Sequence, residues 1–362
     1  MGIVLRSMKR LNGQVSDIVI DEGKIAAIVP PGTGEGEVVA EGGYVSSGWI
    51  DMHVHAFPTF KPYGDAIDEI GVKQGVTTIV DAGSCGADRI GELREAGRRS
   101  VTRLLAFLNV SRIGLARIDE LSRPEWIDEA AVREAALAYP DFIVGLKARI
   151  SRSVVKELGI EPLRLARQFS AATGLPLMVH IGSGPPAIGD VMALLARGDI
   201  VTHYLNGKAN NLFDAQGRPL PALTDAVARG VHLDVGHGSA SFSFRVAEQA
   251  RAAGVPPHTI STDIYERNRL EGPVFSLADV MSKFLDLGYG LREVVGAVTV
   301  NAAAWLGRPE LAELSVGGDA NLTVFEVKQG GKRLTDSEGE TRTASTYIQA
   351  KGAVIHGSYF AC

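Results

Sequence analysis

The sequence predicts an α/β protein: a (β/α)8 TIM barrel with a small β-sandwich domain formed by the N- and C-terminal segments. The middle of the chain alternates short apolar, β-branched runs with segments of helical periodicity, eight times over. The two ends instead show short alternating strands separated by Gly-rich turns. At 362 residues the chain also exceeds the usual size of a single core. We therefore predict three segments: 1–45 and 311–362 form the small domain, and 46–310 form the barrel.

The barrel strands are predicted from apolar runs that end in polar residues. In chain order they cover residues 47–55, 76–81, 103–110, 142–149, 177–181, 200–204, 231–236 and 259–263. Helices are predicted between them, among others over 126–139, 162–172, 188–196 and 243–253. The strands at the two ends, 16–30 and 320–327, each expose too little apolar surface to be stable alone, so we expect them to pair with each other.

Composition excludes several classes of function. The net charge is -5 and basic residues are interspersed with acidic ones, which argues against nucleic acid as a partner. No run approaches the roughly 20 apolar residues that cross a bilayer, and no secretion signal is visible at the N-terminus, so we expect a cytoplasmic protein without membrane contact. With only Cys85 and Cys362 as cysteines, any metal must be held by histidine, carboxylate or a modified side chain.

The first predicted barrel strand ends in His53-Val54-His55. Residues i and i+2 of a strand face the same side, so both imidazoles can reach one metal ion from the rim of the barrel. An exposed polar pair would have the same spacing. However, five of the eight histidines lie at the ends of predicted barrel strands, namely His53, His55, His180, His203 and His237. The rim at the strand C-termini is where catalytic groups of this fold collect, which favours a metal site.

Two further residues occupy such positions. Lys147 lies on a strand suited to burial on both faces, where an ammonium is costly to desolvate. A neutral amine there could add carbon dioxide and form a carbamate, an anionic ligand able to bridge two metals; the alternative is a lysine whose head reaches solvent at the rim. Asp263 ends the eighth predicted strand, where a carboxylate can touch a metal and shuttle protons, or simply cap the next helix.

This pattern resembles the binuclear branch of the amidohydrolase superfamily. The matching positions are a His-x-His after strand one, a lysine after strand four, histidines after strands five and six, and an aspartate after strand eight: His53, His55, Lys147, His180, His203 and Asp263. The resemblance covers nearly the whole chain, including the terminal strands. Segments 143–152, 176–182 and 233–238 look most like a deacetylase-like subgroup often labelled dihydroorotase or adenine deaminase.

The resemblance implies two divalent metal ions, with zinc as the best candidate for imidazole and carboxylate ligands. His53, His55 and Asp263 would hold one ion, and His180 and His203 the other. The carbamate on Lys147 and a hydroxide would bridge them, with Asp263 as the proton shuttle. This predicts a metal-dependent hydrolase that cleaves an amide or ester bond.

The metal site would carry a net positive charge, which favours a small anionic substrate. Arg149 faces the same way as Lys147 on its strand and could bind a carboxylate, or form a structural salt bridge. His237 and Asn206 are further candidates for substrate contacts, although His237 could equally be structural. The sequence is also compatible with a homo-oligomer.

Two differences from other branches of the superfamily narrow the expected class of substrate. A dihydroorotase normally has an arginine two residues after the second histidine, where this chain has Phe57. Mononuclear deaminases usually have His-x-x-Glu after strand five, but here His180 is followed by Ile181, Gly182 and Ser183. A deacetylase-like hydrolase is therefore favoured over a cyclic-amide hydrolase or a purine deaminase, and a non-catalytic scaffold is a more distant alternative.

Overall fold

The computed structural model describes residues 2–362, which form two sheets and twelve α-helices. The strands, in chain order, are β1 (Ile3–Arg10), β2 (Val15–Asp21), β3 (Lys24–Val29), β4 (Glu37–Glu41), β5 (Tyr44–Ser47), β6 (Trp49–Val54), β7 (Val76–Ala82), β8 (Arg103–Asn109), β9 (Ile143–Ile150), β10 (Leu177–Ile181), β11 (Ile200–Thr202), β12 (His232–Asp234), β13 (Leu322–Thr335), β14 (Thr341–Ile355) and β15 (Ser358–Ala361). The helices are α1 (Ile67–Ile70), α2 (Ile90–Arg98), α3 (Glu129–Ala138), α4 (Arg152–Val155), α5 (Glu161–Thr173), α6 (Ile188–Ala193), α7 (Pro221–Arg229), α8 (Phe244–Ala252), α9 (Glu266–Leu270), α10 (Leu277–Asp286), α11 (Leu291–Ala297) and α12 (Val300–Trp305).

The predicted TIM barrel is confirmed. Strands β6 to β12 form one parallel sheet in which each strand pairs with the next along the chain. The eighth position is filled by residues 259–264, which make only two isolated bridges, Asp234 with Thr259 and Val54 with Ile264. The segment still makes backbone hydrogen bonds to both neighbouring strands, but the Thr262 N–H donates to the Asp51 carboxylate (3.1 Å) and Asp263 has a left-handed φ of 53°, which interrupts the regular ladder.

Two barrel strands, β11 and β12, end two residues earlier than predicted, and the backbone explains both. Strand β11 stops at Thr202 because His203 adopts a left-handed conformation with φ of 69°. Strand β12 stops at Asp234, two residues before Gly236, whose φ is 49°. These turns bring the segments after both strands across the mouth of the barrel. Helix α5 is closed by Gly174, which has the left-handed conformation of a C-cap (φ 74°).

The terminal segments meet in a second sheet of eight strands, ordered β15-β14-β13-β5-β1-β2-β3, with β4 also paired to β1. The antiparallel pairing of β5 with β13 joins the two ends of the chain. Buried side chains from both ends form a separate small core that includes Leu5, Ile18, Leu322 and Val354. This sheet is the small β-domain expected from the alternating strands. No helix within residues 2–362 has both the length and the apolar character that a membrane crossing requires.

The hairpin of β13 and β14 extends from the small domain to the rim of the barrel. At its tip, the Ser337 N–H donates to the Phe242 carbonyl (3.0 Å), and the Ser337 hydroxyl donates to the Gly238 carbonyl (2.9 Å). Glu338 accepts a hydrogen bond of 2.6 Å from the Ser243 hydroxyl. The tip therefore fixes the barrel loop that follows β12.

Candidate metal centre

The structure brings all six predicted metal ligands together at the C-terminal ends of the barrel strands. His53 Nε2 lies 3.4 Å from Asp263 Oδ1 and 3.2 Å from Lys147 Nζ, and His55 Nε2 lies 3.1 Å from the same Asp263 oxygen. The ring of His203 is 5.0 Å from that of His53 and 4.4 Å from that of His180, measured between centroids. One ligand atom from each of His53, His203 and Asp263 lies within 4.8 Å of the other two.

Hydrogen bonds fix which nitrogen of these histidines can bind a metal. The Nδ1 atom of His203 lies 2.6 Å from the Gly236 carbonyl, which can only accept, so Nδ1 carries the proton and Nε2 the lone pair. The Thr202 hydroxyl donates to Asp234 (2.7 Å) and therefore accepts from His53 Nδ1 (2.9 Å), which leaves the lone pair of His53 on Nε2 as well. Such outer contacts are characteristic of metal-ligating histidines.

One atom of the cluster has the surroundings of a metal ligand. His203 Nε2 is buried and has no hydrogen-bond partner among residues 2–362. A buried lone pair without a partner is costly, and a bound cation would satisfy it. His203 and Asp263 also have positive φ angles of 69° and 53°, a strain that is typical of functional positions in the backbone.

A layer of buried polar groups supports the ligands from below. The Asp234 carboxylate accepts hydrogen bonds from the hydroxyls of Thr202 (2.7 Å), Thr259 (2.6 Å) and Ser261 (2.7 Å). Asp51, on β6, accepts from the Thr262 hydroxyl (2.6 Å) and thereby ties the first strand to the eighth segment. These bonds hold the backbone that carries His53 and Asp263, so the ligands are oriented before any metal binds.

The electrostatics of the cluster favour the metal-binding forms of its members. Burial, and then the nearby Lys147 charge, lowers the pKa of His53 to about 4, and burial lowers the pKa values of His180 and His203 well below the ordinary value. These imidazoles are neutral at pH 7, as ligation requires. Burial likewise lowers the pKa of Lys147 to about 7. Burial alone would raise the pKa of Asp263, but the facing histidines outweigh it and keep the pKa below its usual range.

A cavity of about 220 Å³ opens above the cluster and gives a small molecule access to it. Its lining includes His55, His180 and Asp263 from the cluster, together with Arg149 and Lys208. The Arg149 Nη1 donates to Glu120 Oε2 (3.1 Å), and Glu120 is completely buried behind it. The structure thus places the predicted Arg149 at the cavity, held by a salt bridge.

The other two predicted substrate contacts lie outside the cavity lining. His237 is buried, and its nitrogens lie 2.9 Å from the Gly238 carbonyl and 2.7 Å from Lys283 Nζ. Asn206 is also buried; its amide donates to the His203 carbonyl (2.8 Å) and its oxygen accepts from the Lys208 N–H (3.0 Å). In this structure both residues hold rim loops in place.

Several residues at the cavity wall or directly behind it are not predicted from the sequence. Glu120, which is bonded to Arg149 behind the wall, lies in the loop between β8 and α3, and its sequence context gives no signal. Lys208 follows Asn206 in the loop after β11, so its position near the same rim was a usable signal. The tyrosines and serines of the cavity wall were not anticipated either.

Comparison with known proteins agrees with this geometry. Residues 314–360 match a family model described as a deacetylase-like composite domain. A deacetylase of Enterococcus faecalis is 40% identical over 99% of this chain and 98% of its own length, and a deacetylase of Agrobacterium fabrum is 36% identical over 94% and 85%. A crystal structure of an adenine deaminase has a TM-score of 0.94 and 40% identity, covering 99% of both chains. A crystal structure of a dihydroorotase has a TM-score of 0.92 and 34% identity, covering 99% of this chain and 98% of that one.

The barrel, the rim cluster and these similarities define a metal-dependent hydrolase of the amidohydrolase superfamily. Within that superfamily, the chain belongs to the deacetylase-like family.

Proposed function

We propose that the protein is a binuclear metallohydrolase that removes an acyl group, in amide or ester linkage, from a small anionic molecule. The observation that carries this proposal is the convergence of the Nε2 atoms of His53 and His55 on Asp263, beside the unpartnered Nε2 of His203. The groups that would hold two divalent ions, zinc by preference, are His53, His55, His180, His203, Asp263 and a carbamate on Lys147.

The carbamate proposal rests on the position of Lys147. Its side chain is 1% exposed, its Nζ lies 3.2 Å from His53 Nε2, and the other nearby contact is the Met178 sulfur at 3.3 Å. No carboxylate forms a salt bridge with an ammonium held there, and the attraction of the nearby Asp263 is smaller than the cost of burial. Carbamylation would convert it into an anion, which suits a position between two cations.

Bound divalent ions supply two effects: they lower the pKa of water toward about 7, and they polarise the carbonyl that is attacked. The chain supplies the proton transfer. Asp263 borders both the cluster and the cavity, so its carboxylate can accept a proton from the attacking water and deliver it to the leaving nitrogen or oxygen. Arg149 would bind the substrate carboxylate and orient the acyl group above Asp263.

Two related activities are less well supported by the cavity. Phe57, at the position where a dihydroorotase normally has its arginine, is buried and packs edge-on against Phe60, with 5.0 Å between ring centroids. Asp263 is the sole carboxylate among the described residues that line the cavity, so the glutamate typical of mononuclear deaminases has no counterpart there. Hydrolysis of a linear acyl bond fits these surroundings best.

The proposal is tested by metal analysis and a substrate screen. We expect close to two divalent ions per chain and hydrolysis of acylated small acids by the zinc-reconstituted protein. Full activity without metal, or unchanged activity in the His53→Asn/His55→Asn double variant, would contradict the metal mechanism. Efficient turnover of dihydroorotate, or release of ammonia from adenine, would replace the proposed substrate class.

A further inference from the structure

The wall of the cavity is unusually rich in hydroxyl groups. Five serines and two tyrosines line it, together with Arg149 and Lys208. The apolar side chains among the lining residues are Leu115 and Ala240. Small-molecule sites are usually lined mainly by apolar and aromatic residues with a few polar groups. This wall has the opposite composition, so its substrate must offer hydrogen bonds in return.

The hydroxyls form pairs that keep bonding capacity for a ligand. The Ser239 Oγ lies 2.8 Å from the Tyr265 hydroxyl, and the Ser151 Oγ lies 3.0 Å from the Ser183 Oγ. Each pair uses one O–H to form its internal bond, which leaves one O–H donor and several lone pairs free. One member of each pair, Tyr265 or Ser151, is buried, while its partner is exposed at the mouth. The free capacity is therefore held in fixed positions at the entrance.

The two cationic side chains of the wall, Arg149 and Lys208, are not fully paired with carboxylates of the protein. Glu120 engages one nitrogen of Arg149, so the guanidinium keeps other N–H donors for a ligand. The Lys208 ammonium forms no ion pair with any carboxylate of residues 2–362, although it is half-buried beside the cavity. The loop that carries Lys208 is held by Asn206, which accepts from the Lys208 N–H at 3.0 Å. A positioned ammonium and a positioned guanidinium suit one carboxylate.

We propose that the substrate is an acylated acid that bears hydroxyl groups: its carboxylate binds Arg149 and Lys208, and its hydroxyls bond the Ser239–Tyr265 and Ser151–Ser183 pairs. This inference rests on the proposed function, because it assigns the substrate of the same site. A substrate with an apolar side chain would displace water from these hydroxyls without replacing the hydrogen bonds that the water had made. Sites built to bond a substrate hydroxyl can reject the analogue lacking it by up to about 10⁴- to 10⁵-fold.

A near-isosteric pair of substrates isolates the hydroxyl. N-acetylthreonine and N-acetylvaline differ by a hydroxyl in place of a methyl group, and both are assayed in the D and L configurations with zinc-reconstituted protein. We expect kcat/KM for the threonine compound to be higher by about a hundredfold or more in one configuration. Equal rates, or preference for the valine compound in both configurations, would overturn the inference.

Substitutions of wall residues test whether the cavity hydroxyls cause the preference for the threonine compound. Tyr265→Phe and Ser239→Ala each remove one hydroxyl of a pair, and we expect each to reduce the threonine-to-valine ratio by about tenfold or more. Tyr359→Phe is the matched control, since the Tyr359 hydroxyl bonds the Lys351 carbonyl (3.0 Å) in the small domain, and its ratio should equal that of the wild type. An unchanged ratio in both cavity variants would contradict the assignment.

A binding measurement separates this inference from the proposed function. Calorimetry with the deacylated acids, threonine and valine, needs no turnover, and tighter binding of threonine that is lost in Tyr265→Phe supports the hydroxyl-binding wall even if no acyl compound is hydrolysed. Selective threonine binding without hydrolysis of any acyl compound would support the hydroxyl-binding wall and contradict the proposed hydrolase activity. Hydrolysis of acylated acids with no preference for hydroxyl-bearing substrates would support the hydrolase activity and contradict the proposal that the wall binds substrate hydroxyls.

Discussion

Glu120 Oε2 accepts a hydrogen bond of 3.1 Å from Arg149 Nη1. The carboxylate is completely buried, whereas the guanidinium side chain is 13% exposed and reaches the cavity. Burial raises the pKa of Glu120, and the Arg149 charge opposes that shift. The salt bridge thus fixes the position of the Arg149 guanidinium at the cavity wall. The Glu120 carboxylate lies behind Arg149, out of reach of the substrate.

Arg149→Met should lower kcat/KM by about ten- to a hundredfold for acylated acids and much less for neutral acyl esters. The reason is that a charged hydrogen bond to the substrate carboxylate contributes on the order of 1.5 to 3 kcal/mol. Steady-state kinetics of wild type and variant on paired charged and neutral acetyl compounds measure this. Equal losses on both kinds of substrate would remove Arg149 from the carboxylate site.

Glu120→Gln preserves the shape of the side chain behind Arg149 but removes its negative charge. We expect KM for acylated acids to rise by several-fold while kcat changes little, because Arg149 loses its orientation but not its charge. Glu125→Gln is a suitable control, since Glu125 is exposed and pairs only with the exposed Arg123. A fall in kcat with unchanged KM would indicate instead that Glu120 acts on the reacting groups.

Lys147→Ala should lose most of the bound metal and most of the activity, because the proposed carbamate would contribute a ligand to both ions. Short carboxylic acids such as acetate or propionate should restore part of both, since they can occupy the vacated space as anionic oxygen ligands. Elemental analysis and activity assays with and without added acid test this. Full metal content in the unrescued variant would disprove the bridging role.

Lys283, on α10, is buried, and its Nζ donates to His237 Nε2 (2.7 Å) and to the Pro273 carbonyl (2.8 Å). Burial lowers its pKa to about 7; the Asp279 and Asp336 carboxylates oppose the shift. The Lys332 ammonium adds to it. Between pH 7 and the ordinary lysine pKa, the unfolded chain therefore binds a proton that the folded chain does not, and folded stability should rise with pH.

Lys283→Met should remove this contribution. Wild type should gain stability relative to the variant between pH 7 and pH 9.5, by an amount on the order of a few kcal/mol in the free energy of unfolding. Thermal unfolding of both proteins at several pH values gives the comparison, with Lys73→Met as a control because Lys73 is exposed. Parallel pH profiles for wild type and Lys283→Met would contradict the prediction.

The barrel and the ligand cluster were accessible from sequence because both depend on local patterns. Apolar periodicity marks each strand, and a polar residue where a parallel strand ends must lie on the common rim, as His180 and Asp263 do. The direction of a side chain beyond the strand end is not encoded in that way. His237 lies between Gly236 and Gly238, whose φ angles of 49° and 55° turn the chain and direct the ring toward Lys283.

Contacts between distant segments were the other unpredictable part. Glu120 reaches Arg149 from a loop with no periodicity, and the pairing becomes visible only when the barrel is assembled. Residues 259–263 were expected to form a regular strand, yet the Thr262 N–H bonds Asp51, which lies at the opposite end of the barrel sequence. Such bonds depend on three-dimensional proximity that composition and spacing do not record.

The contact of the C-terminal hairpin tip with the barrel rim has a consequence for how the protein is made. Ser337 and Glu338 fasten the loop after β12, which contributes Ser239 and Ser241 to the cavity. During synthesis, all the barrel strands leave the ribosome well before this tip exists, because chains emerge from the N-terminus onward. The nascent barrel therefore lacks the contacts of Ser337 and Glu338, and a chain that stops short of the hairpin would lose these anchors of the loop that carries Ser239 and Ser241.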